Sequence, residues 1–248
     1  MTTGKELLST ICSELKDLGL PQMSSTLKTL YRSERFLEID HMTLLAELIE
    51  PEYHDKVSKR INNRLRNAHL IGCPQELLKC VDSQSREYFP SGVTTVLSSL
   101  DFIKDGLNVC ILGPSDSGKS YLAKAIGVKA CQDYRVAYHH SESLFEELVA
   151  LKGADYKKYQ SRIKRLTKLD LLIFDDFLLH TITDEREIKV LFEIMEKRSE
   201  LSQSTIVCSQ REPNSWASMI LNDEVASNSI MKRATKHYTI VINSKETE

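Results

Sequence analysis

Gly113-Pro114-Ser115-Asp116-Ser117-Gly118-Lys119-Ser120 is the stretch on which the reading of this chain turns. It fits the pattern Gly-x-x-x-x-Gly-Lys-Ser/Thr of a phosphate-binding loop, and its flanks supply the setting such a loop needs. Before it, residues 108–112 form a short, mostly apolar run of the kind that makes a buried parallel strand. After it, Leu122, Ala125, Ile126 and Cys131 recur near helical spacing. Gly113 and Gly118 let the backbone curl so that successive N–H groups point at phosphate oxygens, and the following helix adds its partial positive charge. Lys119 is then placed to reach the β- and γ-phosphates of ATP, and the Ser120 hydroxyl to ligate the bridging Mg2+. Pro114, Ser115, Asp116, Ser117 and Tyr121 complete the expected nucleotide contacts.

Leu169-Asp170-Leu171-Leu172-Ile173-Phe174-Asp175-Asp176 is a second apolar run, closed by two carboxylates. The C-terminal edge of an open parallel sheet is where ligands bind, so both carboxylates fall beside the loop. Asp175 is expected to hold the magnesium, usually through a water, and Asp176 to orient and deprotonate the attacking water. An apolar strand ending in Asp is also common as a loop start or helix cap, and only the pairing with the upstream loop makes it a nucleotide site.

From residue 108 onward strands and helices alternate. Strands are expected at 108–112, 135–139, 170–175, 204–209 and 237–242, with two helices in succession at about 142–151 and 156–166. This pattern gives an α/β fold, a parallel five-stranded sheet sandwiched by helices. The part before it reads as helical. Leu7, Leu8, Ile11, Leu15 and Leu18 make a stripe that Gly19 ends, Pro21 opens a second helix, Asp40 caps a third, and Pro51 starts a longer one running to Leu70. The expected organisation is a small all-α N-terminal domain over 1–72, a linker over 73–92, and a nucleotide-binding domain over 93–248 that opens with one short helix at 93–102.

With 248 residues, 27% charged and 41% hydrophobic, this is an ordinary globular composition, with no apolar run long enough to span a bilayer and no secretory signal in the N-terminal sequence. The six cysteines show no metal-ligand spacing, so neither zinc nor a disulfide framework is indicated, and a reducing cytoplasm is the expected location. A net charge of −2 argues against wholesale coating of nucleic acid but allows a local basic face. Two segments offer one: Lys56, Lys59, Arg60 and Arg64 on the long N-terminal helix, and Lys158, Arg162 and Arg165 between residues 156 and 168. Each reads equally well as a solvated outer face or as a rail for the phosphates of double-stranded DNA, held without regard to sequence. His139 and His140 end a strand and read as a hydrogen-bonded terminus; Trp216 reads as packing.

Together, Gly-Pro-x-x-x-Gly-Lys-Ser, Leu-Leu-Ile-Phe-Asp-Asp and Ser204-Thr205-Ile206-Val207-Cys208-Ser209-Gln210 resemble the P-loop NTPases of the AAA+ group, and more closely the IstB-like ATP-binding proteins of bacterial transposons, relatives of the helicase loader DnaC. The likeness extends to Leu18-Gly19-Leu20-Pro21-Gln22-Met23, to residues 100–108, to Trp216 with Leu221-Asn222-Asp223, and to Ser229-Ile230-Met231-Lys232-Arg233. It implies an ATPase that helps DNA transposition, self-associates with ATP and delivers target DNA to a transposase. It assigns Gln210 to positioning the attacking water and Arg233 to a finger on a neighbouring subunit's γ-phosphate. Asp116-Ser117 stand where the family has Gly-Thr, Asp176 where many AAA+ proteins have Glu, and Lys232 where the family has Asp, which implies slow hydrolysis. Competing readings are a DnaC-like helicase loader in replication, a nucleotide-gated binding protein and a small-molecule kinase; the last would need an acceptor pocket of which the sequence shows no sign.

Overall fold

The computed structural model describes residues 4–83, 85–220 and 224–244. The chain divides into two compact units, Met1–Asn63 and Arg64–Glu248. The smaller holds α1 (Gly4–Asp17), α2 (Pro21–Tyr31) and most of α3 (His41–Asn67). Cys12, Leu27 and Leu48 form its centre, with Leu8, Ile11, Leu15 and Leu30 packed against them. Gly19, at φ +73°, turns the chain out of α1 while the Leu20 N–H bonds the Leu15 carbonyl. Glu52, buried, accepts the N–H groups of Gln22 and Met23 at 2.8 and 3.1 Å and so caps the first turn of α2 with negative charge.

Pro51 does not start a helix. α3 begins ten residues earlier, where the Asp40 carboxylate accepts the N–H groups of Met42 and Thr43 at 3.0 and 3.1 Å, and it runs on through the proline. A proline deletes one intrahelical donor; here buried Leu48 and Glu52 anchor the helix on either side of it.

The larger unit opens with α4 (Leu77–Val81), β1 (Arg86–Phe89), α5 (Val93–Ser98), α6 (Asp101–Lys104), β2 (Val109–Leu112) and α7 (Lys119–Ala130). Next come β3 (Val136–His140), α8 (Ser141–Ala154), α9 (Tyr156–Thr167), β4 (Leu171–Asp175) and α10 (Glu185–Glu200). β5 (Ser204–Ser209), α11 (Trp216–Met219), α12 (Glu224–Thr235) and β6 (Tyr238–Ser244) complete it. The sheet has six strands in the order β1-β6-β2-β5-β4-β3. β2 to β6 are the five expected parallel strands; β1 is an addition, antiparallel on β6 with Tyr88 opposite Ile242. The stretch expected to be a linker therefore carries a helix and an edge strand. The single short helix expected at 93–102 is two, because Leu100 adopts φ +64° and breaks the run while Leu97, Phe102 and Ile103 are all buried.

Side chains alternate along the strands into two cores. Cys110, Leu172, Phe174 and Val207 face α8–α10 and α12, whereas Val109, Ile111, Ile173 and Ile206 face α7 and the segment from Ala68 to Phe102. Trp216 is fully buried edge-to-face on Phe177, its Nε1–H donating to the Arg211 carbonyl at 3.1 Å. This matches its reading as packing.

Arg198 is the largest buried cation, 1% exposed on α10. Its guanidinium donates to the carbonyls of Leu166 at 2.7 Å and Leu169 at 3.0 Å, to the Ser204 carbonyl, and to Thr205 Oγ1 at 3.0 Å. Burial pushes its pKa down to about 9. Truncation to alanine orphans these acceptors, so Arg198→Ala is expected to lose about 3 kcal/mol of stability. In a thermal melt this reads as a fall in Tm of roughly 6–12 °C; a shift of a degree or less would show that the acceptors find water instead.

Candidate functional site

β2 delivers the chain to the loop, and α7 leaves from it. Gly113 has φ +156°, and a Cβ there would stand 2.6 Å from both the Ile242 carbonyl and Ser117 Oγ, so only glycine fits. Gly118 has φ +101° and Asp116 φ +59°, the left-handed backbone that Asp tolerates better than most residues. Arg86 of β1 donates to the Asp116 carbonyl at 2.8 Å, tying the added strand to the loop. Ser117 Oγ is buried without a hydrogen-bond partner among the described residues. Lys119 is 6% exposed, and its ammonium donates to the Pro114 carbonyl at 2.6 Å. Burial lowers its pKa, against the opposing pull of Cys208, Asp175, Asp176 and Asp116.

A cavity of about 300 Å³ opens on the loop, lined by Ser115, Asp116, Gly118, Lys119, Ser120, Tyr121, Asp176 and Gln210. The C-terminal edge of the sheet thus brings together the loop, the β4 carboxylates and the residue just after β5, as a nucleotide site requires. Asp175 is 1% exposed; its carboxylate accepts the Tyr138 hydroxyl, and its carbonyl accepts Ser141 Oγ–H at 2.9 Å. Burial, followed by that carboxylate, raises the Tyr138 pKa far above its ordinary value, so the phenol stays a donor. Asp176, at φ +51°, turns outward and meets His140 Nδ1 at 3.1 Å.

His140 is the member of the site that sequence reading missed. Its position at the end of β3 was visible, but its partner was not: the register that sets His140 beside Asp175 exists only once β3 and β4 pair. One ligand atom each from His140, Asp175 and Asp176 lies within 4.8 Å of the others, a donor set fit for a divalent cation. The buried, unpartnered Ser117 Oγ and the tight approach at Gly113 fit a loop built around phosphate oxygens.

Arg233 lies elsewhere. Its carbonyl accepts Asn108 Nδ2–H at 2.7 Å, at the start of β2 rather than its end. Its guanidinium stacks on Phe192 at 5.6 Å, donates to Ser229 and stands 3.7 Å from Glu196. Among the basic residues singled out by sequence, Lys56 and Lys59 pair with Glu52 and Asp55 along α3, at 4.0 and 2.7 Å. Arg60 is exposed. Arg64 donates to the carbonyls of Cys131 and Gln132 past the end of α7. Lys158 pairs with Asp155 at 3.4 Å and Arg162 with Glu147 at 3.0 Å, while Arg165 is exposed. Leu221-Asn222-Asp223 lies outside the described residues.

His139, one residue before His140, has its Nε2 buried without a partner among the described residues. Burial first, then Arg162, His69 and Arg165, holds its pKa down to about 4. The unfolded chain, with an imidazole near its ordinary pKa of about 6.5, takes up a proton that the folded chain refuses. Stability from this group is therefore complete above about pH 6.5 and falls as the pH drops toward 4. His139→Gln is expected to flatten that acid limb by about 2–3 kcal/mol near pH 4, read from urea titrations of both chains at several pH values.

The chain matches the family model described as IstB-like ATP binding protein over residues 13–247. The insertion sequence ATP-binding protein y4uH of Sinorhizobium fredii (strain NBRC 101917 / NGR234) is 32% identical over 222 residues, 88% of this chain and 86% of that protein. The ATP-binding protein of insertion sequence IS232 from Bacillus thuringiensis subsp. berliner is 32% identical over 236 residues, 93% of this chain and 90% of that protein. Among solved structures, the replication initiator DnaA superposes with a TM-score of 0.53 at 19% identity, covering 68% of this chain and 50% of that one, a likeness of fold alone. That fold is the AAA+ P-loop NTPase core, preceded here by a helical N-terminal region. With nearly its whole length inside the family match, the chain belongs to the IstB-like ATP-binding proteins.

Proposed function

We propose that this protein binds ATP with magnesium, hydrolyses it slowly, and acts as a helper of DNA transposition that holds duplex DNA and delivers it to a transposase. The observation that carries the reading is one cavity that brings together Lys119, Ser120, Asp176 and Gln210 in a chain of this family. Relatives that match most of this chain are named as insertion sequence ATP-binding proteins, which supports the transposition context.

Main-chain N–H groups of residues 115–120 hold the phosphate oxygens, and Lys119 turns from the Pro114 carbonyl to the terminal phosphates. Ser120 and Asp175 would hold the magnesium, which would supply positive charge to the phosphates when bound. Tyr138, donating to Asp175, fixes that carboxylate. Asp176 orients the attacking water and accepts its proton as the water oxygen bonds the γ-phosphorus and the bond to ADP breaks; Gln210 positions the same water. Arg233 serves the site of a neighbouring copy, which ties turnover to self-association.

DNA affinity measured against salt, with and without ATP, tests the reading. A protein holding several phosphates loses affinity steeply with salt, and the ATP-bound form is expected to bind more tightly. Binding with neither a salt slope nor a nucleotide effect would remove DNA from the account. Co-purification with a replicative helicase instead of a transposase would favour the helicase-loader alternative.

A further inference from the structure

A second cavity, of about 430 Å³, flanks β3 at the edge of the sheet. Six cations line it: Arg64 from the end of α3, Arg135 just before β3, and Arg162, Lys164, Arg165 and Lys168 from α9 and its C-terminus. No acidic residue is in the lining. Two carboxylates bond these cations from outside it: Asp170 receives Arg135 at 2.8 and 3.1 Å, and Glu147 receives Arg162 at 3.0 Å. Among the described residues the side chains of Lys164, Arg165 and Lys168 have neither an ion pair nor a hydrogen bond, and all three are exposed. The floor is apolar, with buried Val136 and Leu166.

We propose that this cavity seats the phosphate backbone of duplex DNA, with Lys164, Arg165 and Lys168 as the contacts that hold it. The inference rests on the DNA-binding part of the proposed function and gives it a place. A lone phosphate is satisfied by two or three cations, so six around one opening suit a polyanion. No Phe, Tyr or Trp lines the cavity, so it lacks the stacking platform that single strands use, and its long flexible lysines suit backbone phosphates. Arg64, the last cation of the first basic segment, lines this cavity together with the cations of α9, about a hundred residues later in sequence.

The test compares the parent chain with Lys164→Gln/Arg165→Gln/Lys168→Gln, and with a control of equal charge change outside the cavity, Lys104→Gln/Lys189→Gln/Lys236→Gln. Duplex affinity is measured against salt. Each lost phosphate contact removes about 0.9 from the log–log slope, so the cavity variant is expected to lose about 2–3 units of slope and at least about 100-fold of affinity at 0.1 M salt. The control keeps both, and ATP uptake by the cavity variant equals the parent's, which reports that the fold is intact. If the parent binds duplex and the cavity variant binds it equally well with the same slope, the cavity assignment is overturned while the proposed function stands. If the parent shows no salt-dependent duplex binding, both fall. Two further arms fix the source of the phosphate. A single strand losing as much affinity as the duplex would overturn the duplex assignment, as would tripolyphosphate binding to a Lys119→Ala chain that the three cavity substitutions abolish.

Discussion

With Asp176 replaced by asparagine, the chain is expected to keep its affinity for ATP and to lose about 100- to 10,000-fold of its turnover, the range over which a positioned general base usually acts. On the proposed reading the affinity survives because loop amides and Lys119 hold the phosphate oxygens, whereas Asp176, which lines the same cavity, serves the attacking water. Asparagine is isosteric, so packing at φ +51° changes little and the effect is chemical. A partner variant, Asp176→Glu, adds the methylene that the AAA+ resemblance implies at this position and is expected to turn over faster than the parent. Phosphate release under single-turnover conditions, set beside ATP affinity from calorimetry, separates the two quantities. A brisk turnover in the asparagine variant would move the base elsewhere, with His140, 3.1 Å from this carboxylate, as the nearest ring nitrogen in position.

Lys119→Ala is expected to do the reverse and remove uptake itself, by roughly 100-fold or more, the loss of a buried charge-assisted contact to a polyanion. Lys119 is a buried residue whose pKa burial already lowers in the free protein, so part of the cost of engaging phosphate is met before binding. Gly113→Ala should match it by another route: the new methyl carbon would meet the Ile242 carbonyl and force the loop off its path. Calorimetry with magnesium and ATP, alongside thermal melts to show that both variants fold, checks the pair. Uptake that survives the loss of Lys119 would leave the loop as an ordinary turn.

The candidate site was largely legible as a cluster because its motifs are local. Residues 108–120 hold strand, loop and helix start in one stretch, and the paired aspartates follow an apolar run that can only be a buried strand. What escaped reading depends on pairing across long separations. β1 is Arg-Glu-Tyr-Phe, half exposed and without a strong apolar alternation, and its partner β6 lies more than 140 residues later. His140 acquires meaning only from the register with β4. Pro51 misled because proline at the first turn is the commoner use, and burial of Leu48 and Glu52, which a one-dimensional pattern does not reveal, outweighs the missing donor. Arg64 looked like one more cation on a helix face, yet its guanidinium finishes the end of α7 by bonding carbonyls.

Arg233 sits level with Asn108, at the far end of β2 from the loop, some five residues or roughly 16 Å of extended chain away. Under the finger assignment it can never complete the triphosphate site of its own chain, so copies must join head to tail. In an open row of such copies one terminal site always lacks its arginine, whereas a closed ring leaves none lacking. Turnover per chain would then measure how many copies have joined, and dilution would end it without altering a single bond inside the subunit.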